Sequence, residues 1–133
     1  MDELMREMIE SEPAGRQMDA WVAEYVMGLP FVHKYSGEWL HTRDPIPFVG
    51  APIIEYYSTD IAAAWQVVEK MNKRYQFDLG SNVWSVSFVH GMPGLPDFVE
   101  SYVEFESIDE VPLMICRAAL LATLAPSPGG ANA

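Results

Sequence analysis

From Leu113 to Ala122 the chain is apolar at every position but one, Arg117. At helical spacing this gives a helix with no wet face, and such a helix has to be covered all round. A sheet and a neighbouring element can do this within one protomer, or a subunit interface can do it between two. The start falls around Asp109 to Pro112, where proline is tolerated in a first turn. Whatever else the chain forms must therefore include elements that can surround this segment.

Those elements can be read from the rest of the sequence. Between Asp2 and Ile9, Leu4, Met5, Met8 and Ile9 recur at helical spacing among acids, a short amphipathic helix or arm that ends at Glu12-Pro13. A second helix is predicted from Gly15 to Met27. Its apolar face is Met18, Trp21, Val22, Tyr25 and Val26, with Asp19 and Glu24 turned away and Gly28 at the left-handed C′ position. A third begins near Ser58. Ser58 or Thr59 can cap it, Asp60 complements its dipole, and Ile61, Ala64, Trp65, Val68, Met71 and Tyr75 form its stripe. Trp84, Val86 and Phe88 alternate with serines, and Val99, Val103 and Phe105 alternate with Glu100, Glu104 and Glu106. The two segments read as an antiparallel hairpin with a long Gly/Pro tip and a charged outer face. Between Phe31 and Tyr56, prolines and glycines break the pattern, with a short strand near Glu38–Thr42 and Trp39, Phe48 and Tyr56 as anchors. The expected fold class is α+β: a small α/β sandwich, an antiparallel sheet with helices packed on it. Residues 1–14 form an arm or helix, 15–125 a single domain and 126–133 a disordered tail.

Composition narrows the function. Nineteen acids against eight bases leave a net charge of −11. Duplex DNA or RNA binding needs clustered Lys and Arg to displace counterions, so direct nucleic-acid binding is not expected. The same charge suits solubility, or a basic partner met by an acidic protein or nucleic-acid mimic. One cysteine, Cys116, permits no intrachain disulfide, and no apolar run is long enough to span a membrane, so the expected setting is the cytoplasm. His33, His41, His90 and Cys116 lack metal-ligand spacing, no nucleophile or phosphate-loop motif is present, and no cofactor is expected.

Three phrases also occur together in order. The first is Gly15-Arg16-Gln17-Met18-Asp19-Ala20 running into Val22-Ala23-Glu24 and Val26-Met27-Gly28. The second is Tyr57-Ser58-Thr59-Asp60-Ile61-Ala62-Ala63-Ala64-Trp65 with Val67-Val68-Glu69-Lys70. The third is Pro112-Leu113 leading to Ile115-Cys116-Arg117-Ala118-Ala119-Leu120-Leu121-Ala122. In these the chain resembles the phage ABA-sandwich domain family over roughly residues 15–124. The resemblance implies a small α/β sandwich and a phage or prophage protein working inside an infected or lysogenic bacterial cell. It brings no catalytic residues to carry over. The longer acidic N-terminus and the loop from Met92 to Pro96 depart from the common pattern.

Two places invite a ligand. Arg117, the one charge in the apolar helix, needs a carboxylate, phosphate or carbonyl cluster, so it either pairs with Asp60 or Asp19 or anchors an anion. Tyr57, Ser58 and Thr59 sit where free helix N–H groups can face an anion, or else serve as cap and core. With Arg43 as a second phosphate partner and Trp39 among the aromatics, these residues outline a site for a small anionic nucleotide, placed between subunits of a homo-oligomer. The expected function is a non-catalytic accessory protein that sequesters a cyclic nucleotide signal used in host defence. The alternative is an acidic protein that inhibits a basic partner.

Overall fold

A computed structural model describes residues 3–42 and 52–125. Arg43, Phe48 and the tail from Pro126 lie outside the described residues. In order, the elements are helix α1 (Glu3–Ser11), helix α2 (Arg16–Trp21) running into a π-helical turn (Val22–Val26), and strands β1 (His33–Tyr35) and β2 (Glu38–Leu40). They continue with helix α3 (Ile61–Met71), strands β3 (Gln76–Gly80), β4 (Ser85–His90) and β5 (Val99–Glu104), a 3-10 turn (Ile108–Glu110) and helix α4 (Val111–Leu124). The class is α+β.

Helix α4 is the centre of the molecule. Met114, Ile115, Cys116, Ala118, Ala119, Leu120, Leu121 and Ala122 are all buried within one chain. It packs on β4 and β5 and against α3, the π-helical turn and α1. The cover that its composition demands is thus supplied inside the protomer. Ser107 and Glu110 form a capping box at the start of the 3-10 turn that leads into it: the Asp109 N–H donates to the Ser107 hydroxyl at 3.3 Å, and the Ser107 N–H donates to Glu110 at 3.0 Å.

The hairpin forms as expected, with Val86 opposite Val103 and Phe88 opposite Ser101. A third strand joins its other side. β3 pairs antiparallel with β4 through Phe77–Phe88 and Leu79–Val86, giving the order β3-β4-β5. The helical reading ran too far here: α3 ends at Met71, and the alternation of Phe77 and Leu79 with Gln76 and Asp78 is that of a strand. A second hairpin, β1–β2, turns at Ser36 and Gly37, both with positive φ (53° and 82°), as a two-residue loop requires.

Two helical faces differ from expectation. In α3 the buried residues are Ala63, Ala64, Val67, Val68 and Met71, whereas Ile61 and Trp65 are about half exposed (53% and 49%). The i, i+4 pair Ile61–Trp65 forms a separate stripe beside the core. In α2, Asp19 is fully buried rather than turned to solvent. Beyond it the wider π-helical turn, closed by Met27 N–H donating to Val22 at 2.9 Å, leaves Tyr25 half exposed. Gly28 takes the left-handed conformation (φ 70°) that ends the segment.

Candidate functional site

The start of α3 shows what became of the predicted ligand residues. Asp60, not Ser58 or Thr59, is the N-cap: its carboxylate accepts from the Ala62 N–H at 2.9 Å. Ser58 points inward instead. Its N–H and hydroxyl donate to Asp19 Oδ1 at 2.8 and 2.7 Å, and its hydroxyl accepts from the Gly15 N–H at 2.9 Å. Asp19 Oδ2 takes a 2.9 Å ion pair from Arg16, whose other contacts are Glu38 (3.0 Å), the carbonyls of Ile54 (2.8 Å) and Glu55 (3.1 Å), and the Tyr56 ring (4.0 Å). This knot ties the α2 start, the β2 strand and the α3 entry together. Burial alone would lower the Arg16 pKa, but the carboxylates of Glu38 and Asp19 outweigh it and hold the guanidinium more firmly charged. Glu38, which accepts from the Trp39 N–H and from Arg16, is held below the usual carboxylate range.

Tyr57 is buried, and that burial pushes its phenol up to about 12. Trp39 is half buried against the core. Arg117 pairs with neither Asp60 nor Asp19. Its Nη2 donates to the Glu12 carbonyl at 2.8 Å, tying the end of α1 to α4, and its Nε is buried with no hydrogen-bond partner among the described residues. Asp19 is already used by Arg16 and Ser58, and Asp60 by its own helix. Burial lowers the Arg117 pKa, with Glu110, Glu10 and Glu12 opposing. Of the predicted residues that are described, Thr59 lines a cavity.

That cavity is a groove of about 560 Å³. Thr59, Ile61 and Trp65 of the α3 region form one wall, Phe77 and Leu79 of β3 the floor, and Ile108, Asp109, Val111, Pro112 and Ile115 the other wall. Trp65 stands at 90° to Phe77 with centroids 5.7 Å apart, and Phe77 tilts onto buried Phe88 at 5.3 Å. An exposed indole is thus held by a fixed aromatic stack. Among the described residues the lining contains no Lys or Arg, and its one charge is Asp109. The start of α3 is capped by Asp60, and the start of the 3-10 turn before α4 by the Ser107–Glu110 box. The arrangement can hold a flat, apolar or aromatic group. A smaller apolar groove of about 250 Å³ lies between α1, Trp21, Tyr25 and the end of α4.

Sequence reasoning placed Ile61 and Trp65 in the core and did not connect them with Phe77. The i, i+4 spacing was visible, but the strand at Phe77 that turns it into a groove was not. Burial pushes the Cys116 thiol well above its ordinary value, which keeps it protonated. Among the described residues no group of three His, Cys, Asp or Glu side chains could hold a metal ion, and no helix is long and apolar enough to cross a membrane.

The described residues form a small α+β sandwich with a central apolar helix and an apolar, aromatic-floored groove. The phage ABA sandwich domain matches residues 20–120, and the chain belongs to that family. Its fold is similar to that of a phage protein from Bacillus cereus ATCC 14579, solved as a crystal structure at 2.0 Å. The two share 21% identity at a TM-score of 0.54, covering 84% of this chain and 94% of the other. Comparison with curated proteins finds no significant match.

Proposed function

We propose that this phage protein is a non-catalytic binding protein that sequesters a small nucleotide, acting as a counter-defence sponge for a cyclic nucleotide signal. The groove beside α3 supports this reading most directly. Its volume of about 560 Å³ lies in the range of small-molecule sites, and its half-exposed Trp65 above Phe77 offers a stacking surface for a base. Thr59 adds a hydroxyl at the rim. The phosphates of such a ligand are met from outside the described lining, which holds no cation. Cations brought by a second copy complete the site, so a homo-oligomer is part of the reading. Small phage accessory proteins that act on host defence need no catalysis if they bind the signal tightly enough.

Isothermal titration with cyclic di- and trinucleotides and with cyclic ADP-ribose isomers tests this directly. At least one should give saturable heat, and Trp65→Ala should weaken it by tenfold or more, since stacking on a base contributes about 1–3 kcal/mol. Trp65 is half exposed, so the variant should fold. Absence of heat with every one of these ligands sinks the proposal.

A further inference from the structure

The three-stranded sheet has two faces, and the helices cover one. Registers β3–β4 and β4–β5 put nine residues on the other, in three rows: Gln76–Val89–Glu100, Asp78–Ser87–Tyr102 and Gly80–Ser85–Glu104. Asp78, Glu100, Tyr102 and Glu104 are exposed, no described helix packs on them, and the nine include three acids and no base. None of the three carboxylates is in an ion pair among the described residues. Val89 and Tyr102 supply an apolar and an aromatic surface within the grid, and Tyr102 (52% exposed) is steadied by its hydroxyl donating to Glu104 at 2.9 Å.

A solvated face explains alternation of polar residues, but an even mix of charge serves solubility as well as a single sign does. The single sign also says what cannot cover the face. Two copies placed sheet to sheet would bring like charges together without compensation. Nor do α1 or α4 of a second copy fit: the exposed face of α1 carries Glu3, Glu7 and Glu10 against Arg6, and α4 is buried. Strands lie about 4.8 Å apart, so Asp78 on β3 and the β5 acids are separated by roughly 10 Å. That span suits Lys or Arg side chains reaching out on both sides of one helix laid across the sheet.

We infer that the open face of β3-β4-β5 is a docking surface for a basic helix of a partner protein, which packs an apolar residue on Val89 and Tyr102 and meets Asp78, Glu100 and Glu104 with cations. The surface is separate from the groove beside α3, and the inference stands or falls without the nucleotide reading.

The test is an amide NMR titration of the full chain with a synthetic amphipathic Lys/Leu helical peptide, and with the same peptide carrying Glu in place of Lys. The Lys peptide should shift Asp78, Ser87, Val89, Glu100, Tyr102 and Glu104, and the Glu peptide should not. Rising salt should weaken the effect, and Glu100→Lys with Glu104→Lys should reduce affinity at least tenfold while the thermal melt is unchanged. Shifts centred on the acids of α1, or spread over every acidic residue, overturn the inference. So does affinity that survives the charge reversal. Broadening of the same amides with protein concentration alone, together with a dimer in sedimentation, would show that a second copy covers the face and would also overturn it.

Discussion

At Asp19 a carboxylate with no solvent exposure accepts from the N–H and hydroxyl of Ser58 and from the Arg16 guanidinium. A buried charge is tolerable only when it is paired and hydrogen-bonded, and here each oxygen has its donor. Arg16 is in turn shared with Glu38 and two carbonyls, so one acid in α2 fixes the positions of β2 and the α3 entry. Asp19→Ala leaves a buried hydroxyl and a partly buried guanidinium without their partner. It should destabilise the fold by about 3 kcal/mol in urea unfolding, whereas Tyr102→Ala on the open face should change stability little.

Among the elements, α3 shows how a cap and a face are set separately. Asp60 ends the extended entry at φ −112° and satisfies the Ala62 N–H, which frees Ser58 to turn inward. Asp60→Ala should lower stability by about 1 kcal/mol, and Thr59→Ala by much less, in thermal or chemical unfolding. The helix then buries Ala63, Ala64, Val67 and Val68 and leaves Ile61 and Trp65 beside β3. A stripe containing Ile61, Ala64, Trp65 and Val68 is legible in the sequence, but it spans two neighbouring faces. Which face meets the core depends on where α4 and β3 lie.

The whole molecule is organised around α4, whose small residues Ala118, Ala119 and Ala122 let the sheet, α3 and the π-helical turn approach closely. Added volume has nowhere to go in such a centre. Ala119→Leu should destabilise by about 1–3 kcal/mol, with a lowered melting temperature, because packed interiors do not absorb extra methylenes without strain. The net charge of −11 belongs to this scale too. Three of the nineteen acids, Asp78, Glu100 and Glu104, share the face of the sheet on which no described helix packs.

Periodicity alone was enough for α1, the hairpin β4–β5, the end of the second helix at Gly28 and the demand that α4 be covered, because these depend on residues close in the chain. Two further signals are equally local: Ser107-x-x-Glu110 as a capping box, and Ser36-Gly37 as a two-residue hairpin loop. The partners of Arg117 and Ser58 could not be read that way. Arg117 meets Glu12 across 105 positions, and Ser58 meets Asp19 across 39. Hydrogen bonds at such separations are assigned by packing, since any buried donor takes whichever acceptor the assembled elements bring within reach. The apolar run at Leu113–Ala122 thus dictated by itself that a cover must exist. Only the tertiary structure decided that one protomer provides it, because the sheet and the other helical segments converge on that helix.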